Sequence, residues 1–122
     1  RTLRWMAMLH LAAGSATEAV LLLEPACRQS PARMAPLHAL LGEAYGRLGR
    51  WDEACREFAA AAGTASSAEL FYNLALAAGR TGRVGEAIEA LERSLACDAG
   101  FRPAVELRKV MDRALTGAPG LE

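Results

Sequence analysis

Several features are scarce in this chain of 122 residues, and each scarcity argues against a class of protein. The three cysteines are widely spaced and form no C-x-x-C pair, which argues against a disulfide framework and against a zinc site. The apolar runs, such as residues 20–23, are far shorter than the ~20 residues that cross a bilayer. Because fourteen basic residues balance fourteen acidic ones, we expect no binding to nucleic acid or to an anionic membrane.

Lysine is nearly absent and β-branched residues are few, whereas alanine, leucine and arginine are abundant. Alanine and leucine favour helices, so the composition predicts an all-α protein. With 52% hydrophobic and 23% charged residues, the chain has the profile of one packed domain rather than of a disordered segment. The arginine bias is typical of a GC-rich bacterial genome, and the unpaired cysteines favour a cytoplasmic location.

A glycine precedes a Glu-Ala pair by four residues at three places in the chain, Gly14, Gly49 and Gly82. The pairs are 35 and 33 residues apart, and a large apolar residue stands four residues after each alanine. A period of this length indicates a stacked helical repeat. Within each period, apolar residues recur at three- and four-residue spacing along two segments, which predicts two helices. Gly49 is predicted to end the helix before it, because glycine adopts a left-handed backbone without steric cost.

These patterns predict an all-α fold, an α-solenoid of three helix-turn-helix repeats with a C-terminal capping helix. We expect one domain over residues 1–116, with repeats at about 1–30, 34–63 and 67–99 and the capping helix at about 101–115. Pro25 lies within the second helix of the first repeat, so we expect a kink or an early end there. Residues 117–122 are predicted to be a disordered tail that ends in a cloning remnant, Leu121-Glu122, and we expect the chain to be a piece of a longer protein.

The middle repeat carries a more specific pattern. It has Leu41-Gly42 and Tyr45 in its first helix, followed by Ala54 and Phe58 in its second. These residues match the pattern of the tetratricopeptide repeat (TPR) family, which the chain resembles over roughly residues 3–100. The resemblance implies TPR-like repeats and a non-catalytic module that binds a protein or peptide partner.

In this family the first helix of each pair lines the concave surface of the solenoid, where ligand segments bind. Asn73 holds the place of a family asparagine that bonds the backbone of the ligand. The carboxylate clamp that grips acidic chaperone tails is not expected, because the corresponding surface of this chain has no lysine. Carried over residue by residue, the resemblance implies a peptide-binding groove formed by Arg4, Met8, Leu11, Glu43, Arg47, Tyr72, Asn73, Leu76 and Arg80.

Arg47 and Arg80 occupy equivalent places in two Gly-Arg-x-Gly-Arg segments. One interpretation is a pair of arginines that grips carboxylate or phosphate groups of a ligand. The other is structural, because arginines near a helix C-terminus complement the helix dipole and Arg47 can pair with Glu43 one turn earlier. Tyr72, beside Leu76 and Arg80, is the expected hot spot of an interface.

The sequence shows no catalytic constellation. His10 and His38 are the only histidines, and both fall at repeat positions that pack between helices, which favours a core role. We therefore expect no enzyme, no cofactor and no metal. Two functions stay open: an adaptor or scaffold that binds its partner in the groove, and a structural spacer or self-association unit of a longer TPR protein. The apolar start of the chain, which includes Trp5 and Leu9, favours the second function.

Overall fold

Seven α-helices follow one another, and no strand occurs, in residues 2–29, 35–63 and 66–116, the part of the chain that this computed structural model describes. None of these helices is long and apolar enough to span a membrane. The predicted all-α helical-repeat fold is confirmed, while the tail expected at 117–122 lies outside the described residues. The helices are α1 Thr2–Ala12, α2 Ala16–Gln29, α3 Ala35–Arg47, α4 Trp51–Ala62, α5 Ala68–Arg80, α6 Val84–Cys97 and α7 Arg102–Thr116.

Each of the three helix pairs turns on a glycine in the left-handed region, with φ of +82° at Gly14, +79° at Gly49 and +82° at Gly82. After the second of these glycines, the N–H of Arg50 donates to the Tyr45 carbonyl at 2.9 Å, which is the long hydrogen bond of a Schellman motif. The predicted helix end at Gly49 is therefore confirmed. Equivalent bonds join Ser15 to His10 at 2.7 Å and Arg83 to Ala78 at 2.9 Å.

The interior of the stack contains a few large side chains, such as Leu23 and Leu41, among many alanines. Each helix packs on the next, and α1 also contacts α3 while α5 contacts α7. Because alanine adds only a methyl group, the helices approach closely, and each pair depends on its neighbours for burial. The alanines that are 0% exposed are Ala7, Ala19, Ala44, Ala54, Ala61, Ala77, Ala78 and Ala104.

Gly42 permits the close contact between α3 and α4. A Cβ atom at this position would lie 2.8 Å from Cε1 of Phe58, whose ring is buried. Cβ atoms do not come this close to a ring, so only glycine leaves room for it. The glycine and the phenylalanine of the sequence pattern thus form one packing unit.

Pro25 lies inside α2 without ending it, so of the two outcomes expected there, a kink or an early end, the early end does not occur. The helix continues past the proline to Gln29. Pro25 is itself exposed, whereas Leu23 and Cys27 on either side of it are 0% and 3% exposed. The burial of these neighbours holds the last turn in helical form, although proline removes one backbone hydrogen bond.

The substitution Gly49→Ala is expected to lower the free energy of unfolding by about 1–2 kcal/mol, because an L-residue at its left-handed φ is strained. Gly79→Ala is the matched control. It lies within α5, and an added Cβ would meet nothing within 4 Å, so we expect it to raise the free energy of unfolding by up to ~1 kcal/mol. Urea unfolding followed by circular dichroism measures both changes, and equal effects would contradict the strain assigned to Gly49.

Candidate functional site

Two adjoining depressions lie along the first helices of the three pairs. One, of about 300 Å³, is formed by α1, α3 and the start of α5, and the other, of about 310 Å³, by α3, α4 and α5. They share three side chains, Glu43 from α3 and Glu69 and Asn73 from α5. The two depressions are treated as one surface, named the groove. Concave surfaces formed by several elements are the usual place for a ligand.

Six of the nine side chains that the sequence assigned to a ligand line this groove. Each of the helices α1, α3 and α5 supplies two of them, so the first helices present a common surface, as the resemblance implied. That this surface binds a partner stays a prediction. The six are Arg4 and Met8, Glu43 and Arg47, and Asn73 and Leu76.

The other three side chains do not line the groove. Leu11 was expected on the open inner face, but it is 3% exposed, because α1 turns it into the core. Tyr72 packs edge-on against Phe101, with ring centroids 5.9 Å apart and an interplanar angle of 73°. The Arg80 guanidinium lies 5.0 Å from the centroid of the Trp51 ring. Neither Tyr72 nor Arg80 lines the two depressions, although Arg80 stacks on Trp51, which does. Their role as a hot spot stays a prediction.

Arg47 and Arg80 each connect the end of their helix to the preceding pair. The Arg47 guanidinium donates to the Leu11 carbonyl at 2.6 Å and to the Glu43 carboxylate at 2.9 Å. The predicted pair between Arg47 and Glu43 is thus confirmed. Arg80 reaches back to α4 through its contact with Trp51, a cation–π interaction. These contacts favour the structural interpretation of the two arginines.

The groove carries no excess of positive charge. The pairing with Arg47 neutralises Glu43, which leaves Arg4 and Glu69 as exposed charges that form no ion pair with any described residue. Asn73 is half-buried between the two depressions, and its amide can both donate and accept hydrogen bonds. The arrangement suits a segment that brings one cation, one anion and a backbone amide or carbonyl.

A polar cluster lies between α2, α3 and α4. Cys27, His38 and Glu57 come from these three helices, and the His38 Nδ1 atom lies 2.5 Å from Oε1 of Glu57. The expected core role of His38 is confirmed, because it is 6% exposed. Sequence reasoning missed the cluster, since its members are far apart in sequence. The one sequence signal was histidine at a place where the family pattern has tryptophan.

A second polar network lies close to the turn between α3 and α4. The Tyr45 hydroxyl donates to the carboxylate of Glu24, and the Arg50 guanidinium lies 4.6 Å from the centroid of the Tyr45 ring. Arg50 also donates two hydrogen bonds of 2.6 Å to Glu53, which lowers the pKa of that carboxyl group. Burial and the charge of Glu24 raise the pKa of Tyr45, so its hydroxyl stays protonated and joins α3 to α2.

Residues 68–99, which span α5 and α6, match the family model of the tetratricopeptide repeat. The chain has a tetratricopeptide-repeat fold. This confirms the resemblance that the middle repeat indicated. No curated protein sequence matches the chain.

Solved TPR structures superpose on most of the chain. The first TPR of Spaghetti (RPAP3), bound to the HSP90 peptide SRMEEVD, has a TM-score of 0.87 at 19% identity, and the match covers 95% of this chain and 92% of that one. The first TPR domain of human RPAP3 has a TM-score of 0.80 at 21% identity, with 93% and 91% covered. YrrB, a TPR protein with an unusual peptide-binding site, has a TM-score of 0.78 at 18% identity, with 88% and 55% covered. At these identities the likeness shows the fold.

Alkaline pH is expected to destabilise the chain through Cys27. Burial and the negative charge of Glu57 raise the pKa of its thiol from 9.0 to about 11. Between these values the unfolded chain loses the thiol proton while the folded chain keeps it. The free energy of unfolding should therefore fall by about 1–3 kcal/mol as the pH rises through this range.

Chemical denaturation, repeated at each pH, measures this loss. Cys27→Ala should reduce the slope between pH 9 and pH 10, below the range in which Tyr45 contributes, while Cys97→Ala, which removes an exposed thiol, should keep the wild-type slope. An unchanged slope between pH 9 and pH 10 in Cys27→Ala would assign the loss to other groups.

Proposed function

We propose that the groove binds an extended segment of another protein and that the chain acts as a non-catalytic interaction module. The observation that carries this proposal is the alignment of α1, α3 and α5 along two adjoining depressions that share side chains. The TPR fold is generally a protein-interaction fold. Two of the similar structures also support the proposal, since one holds an HSP90 peptide and another is described by its peptide-binding site.

The charges of the groove favour a partner segment with a basic side chain. The Glu69 carboxylate can pair with a lysine or arginine of the segment. The Asn73 amide can donate a hydrogen bond to the backbone of the segment and accept one from it. Met8 and Leu76 offer apolar contact on either side. An acidic tail could pair with only one free cation of the groove, Arg4, and would be repelled by the carboxylates beside it. The proposal therefore keeps the expectation that the chain does not bind an acidic chaperone tail.

Selection of a random peptide library on the immobilised chain is expected to give a consensus with a basic residue flanked by apolar ones. Fluorescence anisotropy with the selected peptide then measures its affinity. Glu69→Lys should weaken binding by about tenfold or more, because it replaces an attraction with a repulsion. Asn73→Ala should weaken it by a smaller factor, because the backbone of the peptide loses its hydrogen bonds.

Glu92→Lys is the control, since it makes the same charge change on an exposed residue of α6 outside the groove. It should bind the peptide as tightly as the wild-type chain. The proposal fails if the selected consensus is acidic, or if Glu69→Lys and Asn73→Ala both keep wild-type affinity.

A second candidate function is self-association through the outer face of α1. Trp5 is 61% exposed and Leu9, one turn later, is 51% exposed, so together they form an apolar strip. Leu21 of α2 is 68% exposed as well. Exposed aromatic and aliphatic side chains in one strip are typical of a surface that another helix covers. We propose a second copy of the chain as its occupant.

Light scattering after gel filtration is expected to show a dimer whose fraction increases with protein concentration. Leu9→Glu should restore the monomer, because it places a charge in the centre of the contact. Val110→Glu is the control, since Val110 is also exposed (55%) but lies on α7. A wild-type chain that stays monomeric at the highest concentration reached would exclude this second function.

A further inference from the structure

A third depression continues from the groove. It has a volume of about 320 Å³ and is formed by the end of α5, the start of α6 and α7. Leu76 lines both this depression and the part of the groove between α3, α4 and α5, so the two surfaces are continuous. Leu107 and Met111 of α7 form another wall. The lining is apolar, because Arg80 is the one polar or charged side chain among the residues that form it.

The internal repeat shows what fills the equivalent place in the preceding pair. Gly46 of α3 and Gly79 of α5 are equivalent, and each is followed by an arginine. At Gly46 a Cβ atom would lie 3.0 Å from Cζ3 of Trp51, because the tryptophan ring covers this glycine. At Gly79 a Cβ atom would meet nothing within 4 Å. Trp51 begins α4 and its equivalent Val84 begins α6, where the shorter side chain leaves the glycine uncovered.

The fold itself does not require the open place at Gly79. This glycine lies within α5 and does not have a positive φ, so alanine would suit the helix better. Val84 is 46% exposed, which leaves apolar surface in contact with water on the same depression. Contiguous apolar surface that stays open to solvent is typical of a place that a partner covers.

We propose that the third depression holds a large aromatic side chain of the segment that binds in the groove. This inference rests on the proposed function, since the same segment supplies the basic side chain for Glu69. The aromatic ring takes the place in the third pair that Trp51 takes in the second. The charges favour this occupant, because no carboxylate is among the residues that line the depression, and Arg80 repels a basic side chain but attracts the face of an aromatic ring.

Helix α5 sets the distance between the two contacts. Glu69 stands in its first turn, and Leu76 and Gly79 follow seven and ten residues later. At about 1.5 Å per residue, the depression lies roughly 10–15 Å from Glu69 along the helix. An extended segment spans about 3.3–3.6 Å per residue, so about three or four residues bridge this distance. The segment should therefore carry its aromatic residue about three or four positions from its basic residue.

A scanned set of fluorescently labelled peptides tests this spacing. Each peptide has one lysine at its centre and one tryptophan that moves through every other position of an alanine–serine background, and fluorescence anisotropy measures its affinity. The tightest binder is expected to have tryptophan about three or four positions from lysine, on one side. Replacing that tryptophan with alanine should weaken binding by at least about tenfold, because the apolar contact is lost. Equal affinities at all tryptophan positions would overturn the proposal.

Two variants fill the depression from within the chain. Val84→Trp supplies the side chain that Trp51 supplies in the preceding pair, and Gly79→Leu extends into the depression from α5. Both should bind the tryptophan peptide no more tightly than the wild-type chain binds its alanine version. Their melting temperatures should stay at or above the wild-type value, because Val84 is exposed and the place beside Gly79 is open.

Gly85→Leu is the matched control. A Cβ atom at this helical glycine would also meet nothing within 4 Å, but the residue does not line the depression. It should keep wild-type affinity for the tryptophan peptide. The proposal is overturned if Val84→Trp and Gly79→Leu both keep wild-type affinity, or if Gly85→Leu loses as much as they do.

The third depression and the groove are tested separately. If no peptide binds, or if Glu69→Lys leaves the affinity unchanged, the groove fails and the aromatic contact fails with it. If Glu69→Lys weakens binding while the position of the tryptophan has no effect, the third depression alone fails.

Two other occupants of the depression give their own results. If deletion of residues 117–122 raises the affinity for the tryptophan peptide severalfold, the end of the chain competes for the depression. If light scattering shows a dimer that Val84→Trp abolishes, a second copy of the chain fills it. Either result would overturn the assignment to an aromatic side chain of a partner.

Discussion

The close approach of helices through alanine and glycine is the constraint on which the rest of this structure depends. Ala54 and Ala87 are almost fully enclosed at equivalent places in α4 and α6, and Gly42 leaves space for the Phe58 ring. Small side chains bury little apolar area each, so a single helix pair gains too little free energy to fold alone. The pairs are stable only as a stack, and the order of the stack determines which surfaces stay open.

The groove is a consequence of this order. When pairs of similar length and the same turn are stacked, their first helices come to lie side by side, and α1, α3 and α5 share one surface. The turns reinforce the stacking, because Arg47 reaches the end of α1 and Arg83 lies 3.3 Å from Asp52 of the preceding pair. Arg47 and Arg83 thus hold neighbouring pairs together, while Glu69 and Asn73, which line both depressions, remain for a partner. The position of Glu69 in both depressions is the physical reason to expect a basic side chain there.

Features determined by local chemistry could be predicted from the sequence, and features determined by contacts between distant segments could not. The glycine turns, the helix pairs and the general position of the inner face follow from periodicity and from the family pattern. Leu11 was misplaced because a helix in a stack has two buried sides, and periodicity alone does not tell which neighbour covers a given residue. The contact of Tyr72 with Phe101 could not be predicted, because Phe101 lies just before α7, outside the repeat pattern. The meeting of Cys27 with His38 required three helices to be placed first.

The three turn glycines have a further consequence. Nothing lies within 4 Å of the place where a side chain of Gly14, Gly49 or Gly82 would stand. Glycine is therefore required there by the left-handed backbone angle and not by a lack of space. A mirror-image amino acid favours the very backbone angles that these turns adopt. D-alanine at these turns would therefore adopt the turn angles without the strain of an L-residue, and the chain would lose less backbone freedom on folding than the natural polypeptide.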